Sequence, residues 1–120
     1  MKTHGTFFEA GDNSGAKKLF CIGQPRSKLK IGDMISVSVK EALPSHRSRV
    51  KKGNVYKAVI VELKQKSKRF THLNRSFGRN LVVLVNAKGD PIGTRVSSLA
   101  SYELRAAGHA KIASISPYLF

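Results

Sequence analysis

The side chains of this sequence that could do chemistry are mostly cations. Its 120 residues include 22 lysines and arginines against 7 acidic residues, which gives a formal net charge of +15. Half of the cations lie between Leu43 and Asn80, where Glu62 is the single acid. A charge of this size destabilises a compact protein by self-repulsion unless a polyanion or strong screening offsets it. Nucleic acid is therefore the first partner to test.

Three lysines of this basic region recur at every second position. Lys64, Lys66 and Lys68 would share one side of an extended strand, whereas on a helix they would splay. Arginines across a hairpin would extend this surface, because a planar guanidinium binds two phosphate oxygens. For Phe70 and Phe77, hairpin packing and base stacking are equally good interpretations. The predicted RNA-binding residues are Lys17, Lys18, Arg47, Arg49, Lys51, Lys52, Lys64, Lys66, Lys68, Arg69, Arg75 and Arg79.

Residues suited to catalysis or metal binding are few. The four histidines lie in different segments, and none has a carboxylate at a spacing that would orient its ring. One cysteine excludes an internal disulfide and a Cys-based zinc site, and Cys21 between two apolar residues predicts a reduced thiol in a buried strand. We expect neither an enzyme nor a bound cofactor or metal.

The elements that must position the cations are short strands. Ile35, Val37 and Val39 alternate with polar residues, as in a strand with one buried face, while the later apolar runs are typical of strands covered on both faces. The predicted strands are 6–10, 17–22, 35–39, 55–63 and 81–85. Closure would remove their exposed edges, so we predict a mainly β fold, a five-stranded antiparallel β-barrel. The predicted core residues are Ile35, Val37, Val39, Val59, Val61, Val83 and Val85.

The last part of the chain differs in character. Ser98–Ala107 is rich in helix formers and is followed by Gly108, a typical C-cap residue. Ser116 and Pro117 suit an N-cap and a first-turn proline, which predicts a final turn over Tyr118–Phe120. A C-terminal appendage of short helices is therefore expected.

We find no linker and no repeat, so residues 1–120 are predicted to form a single domain, with the barrel at about 1–95 and the appendage at about 96–120. No apolar run is long and uncharged enough for a membrane span. Met1–Thr6 has the features of neither a secretory signal nor a transit peptide. The protein is thus expected to act where it is made or to have already lost a presequence.

Six sequence blocks in register resemble the universal ribosomal protein fourteen family of the large subunit. The resemblance covers nearly the whole chain, and six blocks in order are highly specific where one would be weak. The blocks are Asp12–Ala16, Lys40–Pro44, Val50–Gly53 with Lys57–Val61, Phe77 with Asn80–Asn86, Pro91–Arg95 and Glu103–Arg105.

The resemblance implies a five-stranded barrel bound to large-subunit rRNA. It also implies a place on the intersubunit face, with bridges to small-subunit rRNA and contacts to large-subunit ribosomal proteins three and nineteen. A ribosome silencing or anti-association factor is a further partner that it implies. The residues implied for this partner and bridge face are Thr94, Arg95, Arg105 and Lys111.

The chain departs from the family pattern at several positions. Thr71–His72 replaces the usual Asp-Gly of the basic hairpin tip, and two extra residues fall in the loop His46–Arg49. Ser98–Leu99 and Tyr102 replace a Gly-Pro and an arginine. This drift favours a mitochondrial ribosome in the matrix; the alternatives are a bacterial cytoplasmic or a plastid ribosome.

Two other functions compete with a structural ribosomal role. A basic barrel could act alone as an RNA chaperone or translation factor, and a small ribonuclease could use histidine and lysine. The cations could also be solvated faces that only keep the protein soluble.

Overall fold

The computed structural model describes residues 7–23, 31–44, 48–62, 67–68, 74–75, 80–96 and 108–115. These residues form seven strands and one helix. The elements are β1 (Phe7–Ala10), β2 (Ala16–Gly23), β3 (Met34–Ala42), β4 (Val55–Glu62), β5 (Ser67–Lys68), β6 (Asn74–Arg75), β7 (Leu81–Val85) and α1 (Ala110–Ile115).

Five of these strands close into a barrel in the order β1-β2-β3-β4-β7. The predicted five-stranded barrel is confirmed, and four of its five strand pairs are antiparallel as predicted, whereas β1 and β7 pair in parallel. The reason is geometric. When five strands alternate in direction around a barrel, the first and the last run the same way, so the closing pair must be parallel.

The barrel interior is built on the alternation that the sequence shows along β3. Ile35, Val37 and Val39 are buried, and the register places Leu19 opposite Val39 and Cys21 opposite Val37. Partners across a strand pair share a face, so these five side chains meet inside the barrel. Cys21 is a fully buried thiol outside any disulfide, as predicted.

The outer side of β7 and of the second half of β4 is also buried. All seven predicted core residues are buried, but Ile35 lies opposite Ala58, so Val59 belongs to the other face of the sheet, together with its partner Val83. Of the seven predicted core residues, the strand register therefore places only Ile35, Val37 and Val39, all on β3, inside the barrel. Val96 and Ile112, outside the five strands, belong to the same hydrophobic cluster.

α1 joins the same hydrophobic cluster through Ile112. Gly108, with φ of 92°, precedes it, and His109 Nε2 lies 2.8 Å from the Gly32 carbonyl oxygen, while the Gly32 N–H donates to Ile60 on β4. Ile112 is 1% exposed. α1 was not predicted, because β-branched isoleucines are weak helix formers and burial, not propensity, holds this short helix.

The predicted helix Ser98–Ala107 and the predicted final turn Tyr118–Phe120 lie outside the described residues. In the part of the chain that the structure describes, no helix has the length and apolar character needed to cross a membrane.

Candidate nucleic-acid interface

The best-defined cationic element is the basic loop, residues 48–53, which joins β3 to β4. Val50 is buried and anchors it, and Ser48 Oγ accepts from Val50 N–H at 3.2 Å while donating to the Val50 carbonyl at 2.5 Å. Arg49 N–H donates to the Ser14 carbonyl at 2.8 Å. The loop is thus tied to the barrel core and to the turn between β1 and β2.

The tip of the basic loop is a tight turn. Asn54 N–H donates to the Lys51 carbonyl at 3.3 Å, and Gly53 N–H donates to Val39 on β3. Gly53 has φ of 89°, a backbone conformation that costs other residues steric energy. Lys51 and Lys52 are exposed at this tip. Their ammonium groups project from a fixed backbone, which suits contact with phosphates.

Arg49 extends the basic loop toward the segment after β7. Its Nη1 donates to the Ile92 carbonyl at 2.8 Å, and the side chain remains exposed. A guanidinium has five N–H donors, so one bond to a carbonyl leaves most of the fork for an anion. Arg49 is therefore a pre-oriented candidate for a phosphate.

The predicted basic hairpin is present as the pair β5 and β6. Ser67 lies opposite Arg75, and Lys68 opposite Asn74, in antiparallel register. This confirms a hairpin at the predicted place. Five other predicted RNA-binding residues lie outside the described residues: Arg47, Lys64, Lys66, Arg69 and Arg79. Phe70, Phe77 and the tip at Thr71–His72 lie there as well.

Lys17 and Lys18 are exposed on β2, on the wall of the barrel. The Lys18 ammonium sits 5.5 Å from the centre of the Phe7 ring, a cation–π distance. Among the described residues, no hydrogen bond or ion pair joins either lysine to the basic loop. These two lysines therefore project from the barrel wall and not from the basic loop.

Two of the four residues implied for the partner face, Thr94 and Arg95, are held by Asn13, in the turn between β1 and β2. Asn13 Oδ1 accepts from the backbone N–H groups of Thr94 at 2.7 Å and Arg95 at 3.0 Å, and its Nδ2 donates to Thr94 Oγ1 at 2.9 Å. Thr94 and Arg95 are exposed. Because Asn13 fixes their backbone, both side chains leave the barrel from a defined position.

A partly buried carboxylate, that of Asp12, supports the same turn. Asp12 Oδ1 accepts from Ser14 Oγ at 2.7 Å, and Oδ2 accepts from Leu84 N–H at 3.2 Å. Burial raises the pKa of Asp12 above its ordinary value of 3.8, although the hydrogen bonds from Ser14 and Leu84 oppose the shift. Asp12 therefore ties the turn to β7 and is a structural rather than a ligand-binding group.

Gly93 has a different role from the one the sequence suggests. A glycine after Pro91 predicts backbone freedom for a turn, but the φ of Gly93 is not in the positive region that favours glycine. A Cβ at this position would lie 2.7 Å from Asn13 Oδ1 and 3.2 Å from the Ser14 nitrogen. Gly93 is needed for close approach, since only a residue without a Cβ fits against the turn.

Lys111 lies in a second part of the predicted partner face. It is exposed and forms an ion pair with Asp90, with Nζ 2.5 Å from Oδ1. The pair borders an open depression of about 470 Å³. Its lining residues are Lys88, Gly89, Asp90, Gly108, His109, Lys111 and Ile112. No hydrogen bond among the described residues joins Lys111 to Thr94 or Arg95, and Arg105 lies outside them.

Sequence reasoning found the exposed cations but missed the residues that hold them. Asp12 and Asn13 have types common in turns, and composition predicts nothing more for them. Their partners Leu84 and Thr94 lie 72 and 81 residues away. Asp12–Ala16 and Pro91–Arg95 are two of the six family blocks, but their order along the chain does not predict that the two segments are in contact.

A closed five-stranded barrel with exposed lysines and arginines on an anchored loop defines a basic β-barrel protein. The family model of ribosomal protein L14p/L23e matches residues 1–120. The chain belongs to this family, as the six sequence blocks predicted. It is therefore a structural constituent of the ribosome and not an enzyme.

Proposed function

We propose that this ribosomal protein binds rRNA of the large subunit through the basic loop and the hairpin of β5 and β6. The observation that carries the proposal is the basic loop: Arg49, Lys51 and Lys52 are exposed on a backbone that is tied to the barrel at Val50 and Ser14. Cations on a fixed backbone bind phosphates at a lower ordering cost, because only their side chains must be immobilised. Family membership supports the rRNA as their ligand.

Such a surface recognises the shape of RNA more than its sequence. The deep, narrow major groove of A-form RNA hides base edges from side chains, so loops that carry cations read the path of the phosphates. Counterion release then dominates the binding free energy, and each phosphate contact contributes about 0.7–0.9 to the slope of log K against log salt.

The test is the salt dependence of binding to a large-subunit rRNA fragment. The triple variant Arg49→Gln, Lys51→Gln, Lys52→Gln should flatten the slope by about 2–3 units. The matched control is Lys40→Gln, Lys57→Gln, Lys88→Gln, which removes the same charge from exposed lysines elsewhere. Equal flattening by both variants would mean that diffuse charge, not the basic loop, holds the RNA.

We also propose that Thr94, Arg95, Arg105 and Lys111 contribute to the intersubunit face. Partners proposed there are small-subunit rRNA across bridges and a silencing or anti-association factor. Contacts with large-subunit ribosomal proteins three and nineteen are also proposed. The exposure of Thr94 and Arg95 on a backbone fixed by Asn13 supports this role, and so does the exposed Lys111.

The proposed location is the mitochondrial ribosome, which the departures from the family pattern support. Sedimentation of a tagged chain with mitochondrial large subunits after a high-salt wash tests the location and the structural role together. A protein released by the wash would act alone as an RNA chaperone or translation factor, the alternative that family membership does not favour. Sedimentation with a bacterial or plastid ribosome would correct the location only.

A further inference from the structure

A row of side chains crosses the outer face of four barrel strands. The register pairs Phe7 with Phe20, Phe20 with Ser38 and Ser38 with Val55, and partners in such a row share a face. Phe7 is 51% exposed and Val55 is 57% exposed. We call Phe7, Phe20, Ser38 and Val55 the outer row.

The apolar surface extends beyond the outer row. Ile22 on β2 and Met34 on β3 are 40% and 41% exposed. By contrast, the outer side of β7 and of the second half of β4 is buried, as Val83 and Val59 show. The chain thus covers one side of its barrel and leaves large apolar side chains uncovered on another. An exposed apolar patch of this kind is typical of a surface that contacts a partner.

Two lysines are fixed on this apolar surface. The Lys18 ammonium lies 5.5 Å from the centre of the Phe7 ring, and the Lys40 ammonium lies 5.6 Å from that of Phe20. The two rings meet edge to face with centroids 5.1 Å apart. Cation–π contacts therefore hold two positive charges beside one aromatic pair. The register places Glu9 and Glu41 opposite Lys18, so Lys40 is the better placed of the two for an anionic group of a partner.

The charge of the surrounding strands is positive. The exposed charged residues of β1–β4 are Lys17, Lys18, Lys40 and Lys57 against Glu9 and Glu41. Carboxylates on a partner would complement this excess. Closure of the barrel leaves no free backbone edge on these four strands, so a partner contacts them through side chains and not by adding a strand.

The composition of the face favours a protein over RNA. Bases stack on open aromatic faces, but an ammonium group covers one face of each ring and the rings pack against each other. Ile22, Met34 and Val55 are aliphatic and offer nothing to phosphates. The strands β1–β4 contain no arginine, the residue best suited to phosphate forks.

We propose that the outer row with Lys18 and Lys40 docks a neighbouring protein of the ribosome whose surface carries aliphatic side chains flanked by carboxylates. The proposal rests on the proposed function, because the neighbour is present only in the assembled subunit. It assigns Lys18 to a protein contact in place of the RNA contact that the sequence predicted. The basic loop keeps its role toward RNA.

The test places a photoreactive benzophenone amino acid at position 38, in the middle of the outer row, and irradiates purified large subunits that contain the variant. We expect a protein adduct that protease removes and nuclease does not. Lys40→Glu should lower its yield at least about tenfold, since like charges would then face each other. Lys88→Glu, with the same charge change away from the outer row, should leave the yield unchanged.

A nuclease-sensitive RNA adduct, or no adduct, would overturn the proposal, and sedimentation of the same chain with large subunits would show that the proposed function still holds. If the bulky probe prevents assembly, Ser38→Cys gives a second measurement, because Cys21 is buried and unreactive. The introduced thiol should be alkylated at least about tenfold more slowly in subunits than in the free protein. Equal rates would show an uncovered face and overturn the proposal.

Discussion

Asn13 and Thr94 lie 81 residues apart in the chain and are joined by two hydrogen bonds. Asn13 Oδ1 accepts from the Thr94 backbone N–H, and Asn13 Nδ2 donates to Thr94 Oγ1. The same Oδ1 accepts from Arg95 N–H, and the Asn13 backbone N–H donates to the Arg95 carbonyl at 3.2 Å. One side chain thus fixes the backbone from which two predicted partner contacts project.

Asn13→Ala should lower the free energy of unfolding by about 1–2 kcal/mol, because three side-chain hydrogen bonds are lost at an exposed site where water replaces them in part. Asn13→Asp keeps the acceptor for both N–H groups, and the Thr94 hydroxyl can turn to donate, so this variant should lose less. Urea denaturation compares the three proteins. If both variants lose the same unfolding free energy, the hydrogen bonds accepted by Asn13 Oδ1 do not stabilise the fold.

Gly93→Ala should destabilise the protein by about 1–3 kcal/mol, because the new Cβ overlaps the turn at Asn13 and Ser14. Gly53→Ala should cost about 1–2 kcal/mol for a different reason: its Cβ meets nothing within 4 Å, but its φ is positive. Asparagine separates the two causes, since it tolerates positive φ but is larger. In thermal unfolding, Gly53→Asn should recover stability relative to Gly53→Ala, and Gly93→Asn should lose more than Gly93→Ala.

The stretch that the sequence predicted best is the barrel wall. Alternation along β3 and the continuous apolar runs of β4 and β7 placed these strands close to their observed bounds. When both faces of a strand are apolar, the sequence does not indicate which side chains point into the barrel. The prediction places Val59 in the interior, whereas the strand register places it on the outer face of β4. The role of Asn13 could not be predicted from the sequence, because its hydrogen-bond partners are distant in the chain and are mostly backbone groups.

Val59→Ala tests whether the outer side of β4 is a true second core. Val59 is fully buried, so the variant should lose about 1–3 kcal/mol through lost transfer free energy and a cavity. Val55→Ala, on the same strand face but 57% exposed, is the matched control and should change stability by less than about 0.5 kcal/mol. Chemical denaturation measures both. A Val59→Ala protein as stable as the control would mean that nothing packs on this side.

Asp12 should give the stability a recognisable pH dependence. Burial raises its pKa in the folded state above 3.8, so the folded protein holds this proton more tightly than the unfolded chain. The stabilising contribution is complete below pH 3.8 and is lost as the pH rises through the raised pKa. Other carboxylates titrate in the same range, so the difference between the wild type and Asp12→Asn isolates this group.

That difference in unfolding free energy, measured by urea titration from about pH 3 upward, should favour the wild type most at the acid end and then level off. An asparagine in place of Asp12 cannot ionise, and it places an amide N–H against the Leu84 N–H, so the variant should be less stable throughout but flatter with pH. A difference that does not vary with pH would show that burial does not perturb Asp12.

Arg95→Glu separates an interface role from a folding role. Arg95 is exposed, and Asn13 holds its backbone without using its guanidinium, so charge reversal should leave the fold and the yield of large subunits unchanged. Interface charges act on association and register, and a lost charge contact of about 1 kcal/mol should reduce subunit joining or factor docking about fivefold. Lys57→Glu makes the same change of charge on the exposed barrel wall, and large subunits that carry this variant should join small subunits normally.

The competing explanation for Arg95 is an ion pair within the chain. Its partner would be Glu103, which lies outside the described residues, and loss of such a pair predicts a lower yield of large subunits. Sucrose-gradient profiles of the Arg95→Glu strain report both the yield of large subunits and the fraction of joined ribosomes. Because only a folding role lowers the yield without affecting joining, a low yield with normal joining among the surviving subunits would assign Arg95 to folding.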